Sequence, residues 1–140
     1  MSTLHSSAAA RRAGLTYRMI DYWARCGAIE PSGGVAAGSG TRRVWTTFDV
    51  DRLVVLGRLR GLLGDLTLDL VRTVWRWLGR RETWPDFVTV VRAGGRWYVH
   101  PGADRAEGAA IVVPVGPRTV EPAALLDEPP LPFVVDTAPL

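Results

Sequence analysis

Two stretches of helical periodicity stand three residues apart near the start of this chain, and so short a joint strongly limits how they pack. Ser6 to Ala13 is rich in alanine and arginine and is followed by Gly14, the residue type that most cheaply takes the left-handed conformation ending a helix. Thr16 then stands where a helix cap belongs, and Met19, Ile20 and Trp23 recur on one face as far as Cys26-Gly27. The spacing predicts a helix over 6–13, capped by Ser6 or Ser7, and a second over 16–26 whose buried face holds those three apolar residues. A helix pair joined by a glycine-containing turn is a helix-turn-helix candidate.

The following segment adds to this pattern. Ala28 to Pro31 reads as extended chain, 32–40 is almost entirely Gly, Ala and Ser, and Thr41 to Thr46 alternates like a strand with Arg42 and Arg43 at the loop edge. This predicts a hairpin with a basic tip, a wing, whose small residues approach a phosphate chain closely while its arginines supply charge. A third helix is expected over 48–63, with Asp49 near its positive dipole end and Arg52, Arg58 and Arg60 on its surface. Gly64 stops it, and Thr67 caps a fourth helix from Leu68 to about Leu78. Trp75 and Trp77 read as core and edge packing, because stacking on nucleic acid requires unpaired bases.

Beyond Trp84-Pro85 the period changes. Phe87 to Val91 and Trp97 to Val99 are strand-like and flank Gly94-Gly95, a hairpin turn signal, and Ile111 to Val115 adds a third strand. Six prolines fall in 117–140, which is expected to be irregular. The expected fold is therefore α+β. Residues 1–81 form a winged helix-turn-helix of about four helices with a two-stranded wing, 82–116 a small β-hairpin module, and 117–140 a Pro-rich tail.

Charge follows the same division. All 17 basic residues are arginine; residues 1–81 carry 13 of them against 6 Asp and Glu, and residues 82–140 carry 4 against 8. A basic front half and an acidic back half place contact with a polyanion in the front half. Arginine suits that contact, since its fork donates paired hydrogen bonds to phosphate or guanine. One cysteine and two histidines argue against a disulfide framework and a metal site. No catalytic constellation stands out, so neither an enzyme nor a cofactor is expected. No apolar run reaches the ~20 residues that span a bilayer, and the first ten residues lack a signal-peptide core. The expectation is a cytoplasmic protein without membrane contact.

The run Thr16-Tyr17-Arg18-Met19-Ile20-Asp21-Tyr22-Trp23-Ala24-Arg25, continuing to Gly27, Ile29 and Pro31 and then from Ala36 to Trp45, resembles the DNA-binding domain of MerR-family regulators. It is most similar to an actinobacterial FtsR-like subgroup, and the likeness covers roughly residues 8–78. The resemblance implies a transcription regulator that binds double-stranded promoter DNA as a homodimer, with RNA polymerase as a further contact. Under it Thr16, Tyr17 and Arg18 meet base edges or phosphates in the major groove, and Tyr22 and Arg25 meet the backbone. Arg42 and Arg43 hold flanking phosphates, and Thr67 offers helix-start amides to a phosphate. Asp21 stands where the wider family has arginine, and its expected role is to orient Arg18 or Arg25. Cys26 is expected to be a small buried thiol. Two other readings stay open: an excisionase-like architectural DNA-bending protein, and a protein-interaction adaptor with a vestigial helix-turn-helix.

Overall fold

The computed structural model describes residues 3–32, 43–102 and 110–116. Four helices and two small antiparallel sheets make up this part of the molecule. The expected tip of the wing, with Arg42, and the Pro-rich tail lie outside the described residues.

Strand β1 (Thr3–His5) leads directly into α1 (Ser6–Ala13), and α2 (Tyr17–Arg25) follows after three residues. Gly14 takes φ 75°, and its N–H closes α1 onto the Ala10 and Arg11 carbonyls. Thr16 caps α2 through a bond from the Met19 amide to its Oγ1 at 3.1 Å. Ile20 and Trp23 are buried and Met19 partly so, the face the periodicity predicts. Neither Ser6 nor Ser7 caps α1, however. The N-cap is His5, with no side-chain bond, while the buried Ser6 Oγ accepts from Trp45 Nε1 at 2.8 Å. A buried indole N–H needs an acceptor, and this hydroxyl supplies it.

That bond ties α1 to β2 (Val44–Thr46), which pairs with β1 in the register Leu4↔Trp45. Among the described residues β2 thus pairs with Thr3–His5, where the sequence carries no strand signal, and not with residues 28–31 as the expected hairpin requires; that segment forms no strand. Trp45 is fully buried and meets Trp75 edge-on, with ring centroids 6.2 Å apart.

Helix α3 (Thr47–Leu63) begins with a capping box between Thr46 and Asp49. Asp49 does more than favour the dipole. Fully buried, it accepts at Oδ2 from the Thr46 amide (3.0 Å) and the Ser32 amide (2.8 Å), and at Oδ1 from Ser32 Oγ (2.7 Å) and Arg52 Nη2 (2.9 Å). One carboxylate therefore fastens the segment after α2 to the start of α3. Arg52 is not on the surface as the sequence suggests. Its guanidinium lies 3.7 Å from the Trp75 ring centroid and 4.7 Å from that of Phe48, and Nη1 donates to the Trp75 carbonyl. A cation enters this core because a carboxylate and two aromatic faces receive it together.

Helix α1 presents Ala9, Ala10 and Ala13 to the core. Against it, Gly57 of α3 comes so close that a Cβ there would overlap the Ala13 carbonyl oxygen. Helix α4 (Leu68–Gly79), capped by Thr67 through the Leu70 amide, buries Leu70, Val71, Val74, Trp75 and Leu78. Trp77, half-buried, carries Arg81 4.0 Å from its ring centroid.

Strands β3 (Phe87–Ala93), β4 (Arg96–Pro101) and β5 (Ala110–Pro114) form an antiparallel sheet in the order β4-β3-β5, turning from β3 to β4 at Gly94 and Gly95 with φ 59° and 78°. Val88, Val90 and Val113 on one face, with Val115 just after β5, join the same hydrophobic core as Leu53, Leu56 and Leu59 of α3. Arg58, expected on the surface, is half-buried instead, and its Nη1 donates to the Pro114 and Val115 carbonyls at 3.0 and 3.2 Å. Burial lowers its pKa, and the charge of Asp51 acts in the opposite sense.

Candidate nucleic-acid interface

The outer face of α2 is polar and aromatic because its apolar residues have turned inward. Thr16, Tyr17, Arg18, Tyr22 and Arg25 are all exposed, with Tyr17 at 51% and Tyr22 at 48%. Each tyrosine presents an apolar ring and a hydroxyl that can donate or accept a hydrogen bond. The helix start is also the positive end of its dipole. The cap bond occupies one lone pair of the Thr16 hydroxyl and leaves its hydrogen to donate outward.

Asp21 joins this face to the residue that leads into β2. Its Oδ2 accepts from Arg25 Nε at 3.0 Å, one turn along α2, and its Oδ1 accepts from Arg43 Nη1 at 2.9 Å. Arg43 immediately precedes β2 and lies 22 residues further along the chain. The two cations differ in what they keep free. Arg25 binds through its inner nitrogen and is 61% exposed, so its outer guanidinium edge faces solvent. Arg43 is 19% exposed and is held against the helix. The Arg43 bond, then the Arg25 bond, holds the Asp21 carboxyl below its ordinary pKa of 3.8, so the fork is ionised at neutral pH.

Of the residues the sequence singles out, the structure gathers Thr16, Tyr17, Arg18, Tyr22 and Arg25 on α2 and brings Arg43 to them. Arg42 lies outside the described residues. Thr67 is exposed, but it follows the far end of α3, while Arg43 precedes its near end. The 17 residues of that helix run about 25 Å. Thr67 therefore belongs to a separate patch, and its hydroxyl already caps α4.

One addition and one correction concern α2. Asp21 orients Arg25, one of the two arginines expected of it, and its second partner is Arg43. Only the tertiary fold brings that second arginine near. Cys26 is exposed rather than buried, because it sits in the turn after α2 while Trp23 and Ala28 on either side point inward.

Among the described residues no cluster of three His, Cys, Asp or Glu could hold a metal ion, and no helix is long and apolar enough to cross a membrane.

A four-helix unit with an exposed second helix and an arginine-edged strand beside it defines a class, and comparison gives the class its family. Residues 4–76, just over half of the chain, match the model of the MerR HTH family of regulatory proteins; the chain belongs to that family. Similar proteins include two described as uncharacterized HTH-type transcriptional regulators, Mb1861 of Mycobacterium bovis and Rv1830 of Mycobacterium tuberculosis. Each is 47% identical over 47 residues, a match spanning 34% of this chain and 21% of the relative.

Proposed function

We propose that this protein is a sequence-specific double-stranded DNA-binding transcription regulator, not an enzyme, acting in the cytoplasm on promoter DNA as a homodimer. Membership of the MerR HTH family supports the coarser part of this reading, DNA-binding regulation. The observation that carries the rest is the outer face of α2, where Tyr17, Arg18, Tyr22 and Arg25 stand in solvent beside the tethered Arg43.

In this reading α2 enters the major groove, which admits a helix and displays a distinct pattern for each base pair. Thr16, Tyr17 and Arg18, at its leading end, meet base edges. Tyr22, Arg25 and the wing's Arg42 and Arg43 meet phosphates, and Thr67 takes a phosphate further along. Residues 1–81 supply the DNA-binding unit, with 82–116 packed behind it as a support. RNA polymerase is a further contact of such a regulator, and the FtsR-like subgroup is the part of the family to which we assign it.

Selection from a randomised duplex pool, followed by salt titration, tests this. Wild-type protein enriches a defined sequence. Arg18→Ala changes which bases are preferred, whereas Arg25→Ala weakens binding to every duplex and flattens the slope of log K against log salt by about one. No enrichment and no salt-dependent binding overturn the reading.

A further inference from the structure

We propose that Asp21 is a specificity-determining residue of the interface: by pairing with Arg25 of α2 and Arg43 of the wing strand it fixes the two cations relative to each other, and it removes one positive charge from the face presented to DNA. The proposal rests on the DNA-binding reading above and deepens it.

The geometry is that of a two-pronged anchor. Each carboxylate oxygen has its own guanidinium, at 3.0 and 2.9 Å, and the two partners belong to different elements. Stability alone does not explain the arrangement: the Arg25 pair, 61% exposed on the arginine side, contributes little to folding, and only the Arg43 pair is part-buried. Affinity does not explain it either. A carboxylate among arginines on a phosphate-binding face weakens attraction to any duplex, since each cation engaging a phosphate adds to the release of condensed counterions. What remains is position. Without the carboxylate, two like charges would repel across the gap it fills, and Arg43 would lose its 2.9 Å bond to α2. With it, the wing strand and the reading helix meet the duplex at a set spacing, so phosphates are engaged only where the bases under α2 also fit. Contacts to phosphate position a protein and contacts to bases specify it; Asp21 couples the two.

Substitution separates charge from geometry. Asp21→Asn keeps the shape, but its amide nitrogen cannot accept from arginine, so one prong fails. Asp21→Glu keeps the charge and displaces it by a methylene. The probes are the duplex that wild-type protein enriches from a randomised pool and a scrambled duplex of the same length.

Asp21→Asn is expected to bind the scrambled duplex several-fold more tightly, with a salt slope steeper by about 0.9, while the preference for the enriched duplex falls roughly tenfold. Asp21→Glu restores the salt slope without restoring the full preference. Arg43→Ala also lowers the preference, and adding Asp21→Asn to it lowers it no further, because both remove the same link. Unchanged thermal unfolding midpoints show that the variants fold.

An Asp21→Asn protein with an unchanged ratio between the two duplexes overturns the proposal. So does one whose preference relaxes at a single base pair while Arg43→Ala leaves the preference intact, which makes Asp21 a direct reader of a base. Wild-type protein that binds neither duplex removes the DNA-binding reading itself, a failure distinct from these two.

Discussion

Two aspartates on neighbouring helices show how much depends on where a carboxylate lies. Asp49 is fully buried and accepts four hydrogen bonds from three residues, one of them the buried Arg52. Removing one partner of a buried ion pair leaves the other uncompensated. Asp49→Ala is therefore expected to destabilise the protein by about 3–5 kcal/mol, read as a lower urea midpoint. A loss below ~1 kcal/mol would mean that the network carries little of the fold. Asp21 lies at the surface and answers to pH instead. Its pKa is lowered, so its ion pairs are intact above the ordinary value of 3.8 and are lost only as pH falls through the lower folded value. Carboxyl carbon NMR should place its midpoint below 3.8, and Arg43→Ala, which removes the largest cause of the shift, should move it back up. Residue chemistry also marks the limit of sequence reasoning. Arg52 looks like any helix-surface arginine, since its neighbours Asp49 and Phe48 are visible at i, i+3 and i, i+4 but the Trp75 ring and carbonyl that complete its site come from the fold.

At the scale of elements the chain was largely legible. Gly14, Thr16, Gly64, Thr67 and Gly94-Gly95 punctuate it, and each acts where its backbone preference or side-chain oxygen suggests. These signals are local, within four residues, and so survive without knowledge of the fold. The pairing of β1 with β2 was not legible. Three residues with one apolar position, Leu4, carry no periodicity, and the partner lies some forty residues away. Most residues of the candidate interface lie on one helix, and their exposure could be read from its periodicity; the link from Asp21 to Arg43 could not, for the same reason as the strand pair. Packing between elements adds its own prediction. Because a side chain at Gly57 meets the Ala13 carbonyl, Gly57→Ala should force α1 and α3 apart despite improving helix propensity. The expected cost is ~1–3 kcal/mol in denaturant unfolding, and a stabilised variant would show that the helices yield easily.

Across the whole molecule, composition suggests a basic helical part and an acidic strand part, yet the two share apolar contacts. Val88, Val90 and Val113 sit in one cluster with the leucines of α3, and Arg58 bonds the carbonyls that end β5. Such a core unfolds as a unit. Helical ellipticity and the backbone amide NMR signals of β3 should therefore lose their native values in one coincident urea transition. Two separated transitions would show that the sheet melts independently of the helices. The solvent-facing side of α2 owes its orientation to α1, which packs against that helix, and to the core that takes in Ile20 and Trp23.

The pairing of Thr3–His5 with Val44–Thr46 bears on how the polypeptide tolerates shortening at its front end. A version starting at Ser6 would retain every helical residue, yet it would leave the backbone amides and carbonyls of the second strand without their neighbour. A bare ribbon margin of that kind invites extended segments of other chains to add on. Clumping, rather than loss of helix, would be the first sign that those three residues had gone.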